Sequence, residues 1–186
     1  QRYSIQPAIA VPGREHEAPG YSFPYLGGDS TKVIIHGEFM ERECLLPYSG
    51  DAFFKASLSE PVSCIIGAFN SSYHFKQGEY VHQMGIVAGG AMAILAGAGP
   101  MGLGAVDYAV HGPRKPKLLI VTDIDQPRLD RAAQLFTPAE AKKHGVDLRY
   151  VNTATQADAV AALKEMNGGK GYDDVFVFAP VGKLIE

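Results

Sequence analysis

The sequence predicts an α/β protein: a parallel, doubly wound sheet of about four strands, incomplete as it stands, preceded by part of a β-rich domain. Three observations predict it. From about residue 85 onward, short apolar runs alternate with helical patterns in the order βαβαβαβ, which a parallel sheet requires. A glycine cluster closes the first of those runs. Residues 1–57 differ in texture, being rich in Pro, Gly and Tyr. The 186 residues are 46% apolar and 20% charged, which suits a folded protein. Their balance of 17 basic against 20 acidic residues, a net −3, argues against nucleic acid or an anionic membrane as partner.

Residues 1–57 offer β-like runs at Tyr3–Val11, Lys32–His36 and Phe39–Leu46 and no helical period. A linking segment, 58–84, opens with Ser59-Glu60-Pro61: a candidate cap, an acid and a proline in a first turn. Cys64, Ile65, Ala68 and Phe69 then follow at helical spacing. In 85–186, Ala91–Ala96 reads as a strand buried on both faces, Pro100–His111 as a helix, and Leu118–Thr122 as the second strand. Pro127–Phe136 is the second helix, extended by a turn or two at Ala139–His144. Leu148–Val151 is the third strand. Thr155-x-x-Asp158 reads as a capping box before a helix through Val160, Leu163 and Met166, stopped by Asn167-Gly168-Gly169. Val175–Phe178 is the fourth strand. Tyr80–Val106 lacks Asp, Glu, Lys and Arg, but its many glycines and Pro100 make a membrane helix a poor reading.

Gly97-Ala98-Gly99-Pro100-Met101-Gly102 matches the GxGxxG pattern of Rossmann-type dinucleotide domains. Glycines at these offsets can arise by chance, so context decides. The match ends the first strand, opens a helix, and is followed 21 residues after Gly102 by Asp123, at the end of the second strand. Gly97 would permit the tight turn, Gly99 the approach of the pyrophosphate, and Gly102 close helix packing. Pro100 and Met101 fill the turn, and the helix start would face the phosphates. Asp123 would take the adenosine ribose hydroxyls, favouring NAD(H) over NADP(H). Arg128 becomes the phosphate partner if NADP(H) is instead preferred. An S-adenosylmethionine-dependent methyltransferase also uses a glycine turn followed by an acid, but usually as Gly-x-Gly-x-Gly after an acidic residue, where Ala96 stands here.

The strings MAILAGAGPMGLGAVDYA, IVTDIDQPRLDRAAQLF and GYDDVFVFAP resemble the cofactor domain of the zinc-type medium-chain alcohol and polyol dehydrogenases. Upstream, GEFMERECLLPYSGDAFFKASLSEPVSCIIGAF is similar to that family's passage from a GroES-like catalytic domain into its linking helix. The overall likeness is to its sugar-phosphate members. Two cysteines give no disulfide framework, so a reducing, cytoplasmic setting fits the composition. The resemblance implies an NAD(H)-dependent oxidoreductase, a homo-oligomer, acting on a polyol or sugar phosphate whose oxygen a zinc ion polarises. From the residues alone Glu60 reads as a first-turn acid favouring the helix dipole; the resemblance sets beside this, on equal terms, the reading that Glu60 lies at the metal or holds its water.

The departures count as well. The family's first zinc ligands, a Cys and the His of Gly-His-Glu, have no counterpart; Glu15 precedes His16-Glu17 where that motif needs glycine, so Gly13–Pro19 reads as a surface loop. No cysteine before Lys32 could build a structural zinc lobe. Cys44 and Cys64 read as buried small hydrophobes. His36, His74, His82, His111 and His144 lack ligand spacing. Val175–Phe178 would be left as an apolar sheet edge, so the sequence reads as the central portion of a longer enzyme. The rival reading is a nucleotide-binding module without catalysis.

Overall fold

The computed structural model describes residues 2–6, 8–27 and 30–184. The chain divides into two compact units, Gln1–Ser63 and Cys64–Glu186, and the division falls within one helix.

In the first unit, β1 (Arg2–Ile5) pairs antiparallel with β2 (Leu45–Tyr48), Ile5 opposite Leu45. Between them lies α1 (Gly37–Glu41), and after them α2 (Phe53–Ser57). Ile9, Leu26, Phe39 and Cys44 form the buried core. Three sequence expectations change here. The run to Val11 is strand only as far as Ile5: the Gln6 amide makes a last bond to the Cys44 carbonyl at 2.8 Å, and the left-handed φ of 51° at Ala10 is incompatible with a strand continuing to Val11. Lys32–His36 is irregular: Ile34 donates to the Tyr25 carbonyl at 3.0 Å, and no ladder continues from it. Phe39–Leu46 is split into helix and strand by Glu43 at φ 54°, with the Cys44 amide closing on the Phe39 carbonyl at 2.8 Å. The short helices escape periodicity because five residues hold barely one turn of pattern.

The helix α3 (Ser59–Ser71) follows α2 after Leu58 alone. Ser59 is not its cap: the hydroxyl donates back to the Ala56 carbonyl at 2.6 Å. Ile65 and Phe69, one turn apart, are buried, whereas Cys64 points to the exposed side, against the buried reading.

The second unit opens with a small hairpin, β3 (Tyr73–His74) and β4 (Gln83–Met84). The doubly wound core comprises β5 (Ala91–Leu95), α4 (Pro100–His111), β6 (Leu118–Asp123), α5 (Gln126–Leu135), α6 (Pro138–Lys143), β7 (Asp147–Asn152), α7 (Ala159–Met166) and β8 (Asp174–Val177). The sheet is parallel, ordered β7-β6-β5-β8, with Ile94 beside Val121 and Phe176. Met92, Ile94, Leu119, Val121 and Leu148 pack with Ala105, Val106, Ala109 and Val110 of α4. Alternate residues Ala93 and Ile120 are buried as well, as strands covered on both faces require. Asp158 itself caps α7, accepting from the Ala161 amide at 2.9 Å. The Thr155 capping box is therefore not formed; Thr153–Thr155 is a separate 3-10 turn, started by Asn152. Gly168 and Gly169, both at positive φ, end α7 as expected. Among the described residues no helix is long and apolar enough to cross a membrane.

Candidate functional site

The carboxyl end of β5 meets the start of α4 in the glycine turn. Its left-handed residue is Ala96, at φ 53°, not Gly97. Gly97 is needed for space instead: a Cβ there would sit 2.6 Å from Ile94 Cγ2 and 3.0 Å from Val121 Cγ1. Gly102 has the role expected of it, since a Cβ would overlap the Gly97 carbonyl. Gly99 caps α4 at φ −83° and ψ 174°, and a Cβ there would meet nothing within 4 Å. Glycine has no side chain to cap with and Pro100 has no amide hydrogen, so the first amides of α4 have no acceptor within the helix. Open space at Gly99 and free donors beside it suit a pyrophosphate. Met101, half-buried, packs onto the core from the same turn.

The end of β6 staples this turn in place. The Ala96 amide approaches Thr122 Oγ1 at 3.4 Å, the Gly97 amide donates to the Thr122 carbonyl at 2.7 Å, and the Ala98 amide donates to Asp123 Oδ2 at 3.2 Å. Asp123 is only 7% exposed, and its Oδ1 accepts the Ile124 and Asp125 amides at 2.8 and 3.1 Å. Each carboxylate oxygen can accept two bonds, so Oδ2 keeps one acceptor position for a hydroxyl. Sequence reasoning paired Asp123 with the turn by spacing, but it missed Ala96 and Thr122: nothing in an Ala or Thr at a strand end announces a backbone role. Thr153 joins the same corner, its hydroxyl 3.5 Å from the Asp123 carbonyl.

Arg128 lies in the first turn of α5. Its amide donates to Asp125 Oδ1 at 3.0 Å, and its guanidinium pairs with the same carboxylate at 3.7 Å, largely exposed.

Glu60 belongs to the other unit. It lines a cleft of about 740 Å³ together with Tyr3, Ser4, Tyr21, Phe53 and Ser59, where the Ser4 and Ser59 hydroxyls lie 3.0 Å apart. Among the described residues no three His, Cys, Asp or Glu side chains gather as a metal ion would require. Five of the six histidines are engaged locally: His36 with the Pro24 carbonyl, His74 with Asp174, His111 with Asp107, His144 with Glu140, and His82 stacked on Tyr73. The described residues thus fit a dinucleotide and do not by themselves fit a zinc ion.

No family model matches the chain. It is 48% identical over 184 residues to a mannitol-1-phosphate 5-dehydrogenase of Aliivibrio fischeri, covering 99% of this chain and 43% of that protein. It is 46% identical over 187 residues to an L-sorbose 1-phosphate reductase of Klebsiella pneumoniae, covering 100% and 43%. The chain therefore spans under half the length of either relative. A butanediol dehydrogenase structure from Bacillus subtilis superposes with a TM-score of 0.50 at 21% identity, covering 76% of this chain and 34% of that one, which shows the shared fold. These relatives fit the polyol dehydrogenase family that the motifs resemble.

Proposed function

We propose that this chain carries the dinucleotide-binding part of an NAD(H)-dependent oxidoreductase that interconverts a secondary alcohol and a ketone on a polyol or sugar phosphate. The observation that carries the reading is the amide of Ala98, inside the glycine turn, hydrogen-bonded to Asp123, the acid at the neighbouring strand end. One contact thereby couples the place where a pyrophosphate would lie to the place where a ribose would lie. The names of the two relatives, both specifying phosphorylated substrates, support the substrate class. When bound, the nicotinamide supplies or accepts the hydride. The chain's own residues bind and orient: Gly99 leaves room, the first amides of α4 hold negative charge, Gly102 lets the helix approach, and Asp123 accepts ribose hydroxyls while repelling a 2′-phosphate. Among the described residues no donor set for zinc assembles, and none of these binding roles needs one.

Binding isotherms for NADH and NADPH test the reading. A hydrogen bond to a charged acceptor is worth about 1.5–3 kcal/mol, so Asp123→Ala should weaken NADH binding roughly tenfold to a hundredfold and narrow the preference against NADPH. A wild-type preference for NADPH would move the role to Arg128, and saturable binding of S-adenosylmethionine without NADH would overturn the reading. The module without catalysis is separated by NADH oxidation with ketose phosphates. This chain alone should bind NADH weakly and turn over none, whereas a chain extended to the relatives' length should turn over.

A further inference from the structure

At the amino ends of the strands, across the sheet from the glycine turn, the second unit holds a cleft of about 820 Å³. The five residues of β5 separate the two places by roughly 15 Å. Charged residues far apart in sequence meet around it: Lys117 before β6, Asp147 and Arg149 on β7, Lys170 and Asp173 between α7 and β8. Of the two carboxylates, Asp147 is ion-paired, whereas Asp173 is held by a backbone amide. Asp147 accepts from Arg149 Nη2 at 2.5 Å and Nε at 3.3 Å, and Asp173 Oδ2 accepts the Ala91 amide at 2.7 Å. Arg149 is engaged too, its Nη1 reaching the Met166 carbonyl at 3.3 Å. The ammonium groups of Lys117 and Lys170 are left without an ion pair among the described residues. The glycine rim is bare: a Cβ at Gly89, Gly168 or Gly171 would meet nothing within 4 Å.

We infer that this cleft is a second ligand site, taking the phosphate group of a small molecule between Lys117 and Lys170. Three cations against two carboxylates, with Asp173 held only by a backbone amide, leave the cleft net positive by one charge, and a phosphate between the two lysines answers both ammonium groups at once. The bare glycines leave room for the body of the molecule to lie against backbone. The site is separate from the dinucleotide turn and does not depend on it.

The test titrates inorganic phosphate, a hexitol phosphate and the unphosphorylated hexitol into the chain at constant ionic strength, reading the amide resonances of Gly89, Gly168 and Gly171. Saturable shifts should appear with both phosphate-bearing probes and not with the free hexitol, tighter binding of the hexitol phosphate identifying a phosphorylated metabolite as the ligand. Lys117→Met and Lys170→Met, which keep most of the side-chain length, should each weaken binding at least tenfold and leave NADH binding unchanged. Shifts that grow linearly with concentration, or that persist in the double variant, would overturn the site. Loss of NADH binding in the wild type would bear on the dinucleotide reading alone.

Discussion

Each of the two units is held together by its own means. In the second, a parallel sheet is covered on both faces and its central strands contribute several fully buried residues each. In the first, among the described residues, a cluster of four buried side chains from scattered positions carries the core, assisted by the edge-on rings of Phe23 and Phe39 at 4.6 Å and by Arg14 set between Glu17 and Glu38. Repetitive packing writes itself into sequence as period, and scattered packing does not. The proposed chemistry divides along the same line, with dinucleotide contacts in the second unit and Glu60 in the first.

The largest expected effect breaks the division of labour. In a chain extended to the relatives' length, Glu60→Ala should lower ketose phosphate reduction by orders of magnitude while NADH affinity stays nearly intact. Unchanged turnover would return Glu60 to the helix dipole. The mirror experiment is Gly102→Ala. Its methyl group would strike the Gly97 backbone, which cannot yield without opening the turn, so NADH binding should fall by roughly a hundredfold or more. If isotherms show little change, the close approach of α4 is not what shapes the site.

The next pair compares the cores. Phe39→Ala, removing a fully buried ring, should cost about 3–5 kcal/mol, and Leu119→Ala in the central sheet about 2–5 kcal/mol. In the small first core the loss should unfold that unit, seen as proteolysis confined to residues before Ser63, with NADH binding retained. Leu119→Ala should lower thermal stability and NADH binding together. Proteolysis spread evenly in both variants would show that the units unfold as one.

The same contrast explains what could be read beforehand. The helix Pro100–His111 was legible to the residue, because proline, glycine and a buried face all mark its ends and side. The close approach at Gly102 was legible because its reason is steric and local. Ala96 was not, since its left-handed backbone is held by Thr122 from the next strand. Nor was the cleft at the amino ends, whose Lys117, Arg149 and Lys170 stand tens of residues apart and meet only when the strands align. Lys32–His36 misled through its β-branched run, which has strand propensity but pairs with no strand among the described residues.

The smallest effect concerns acid. Hydrogen bonds from Arg14 hold Glu17 and Glu38 below the ordinary glutamate value of 4.5, and the Gly13 amide does the same for Glu15. Lys55 likewise holds Asp51 below the ordinary aspartate value of 3.8. All four belong to the first unit; in the second, Glu140 is lowered by Lys143. A carboxylate whose pKa is depressed on folding contributes stability above its unfolded pKa, and that contribution is lost as pH falls through the lower folded value. The first unit should therefore lose support below about pH 4.5 over a range where the sheet still stands. Because these groups are solvent-exposed, the shift in its melting should be small and should shrink further with added salt. Replacing Arg14 with Met should remove much of the pH dependence of the first unit and leave the second unchanged. Acid melting that begins in the sheet, or that ignores both salt and Arg14→Met, would show that the Arg14 cluster does not set the acid sensitivity of the molecule.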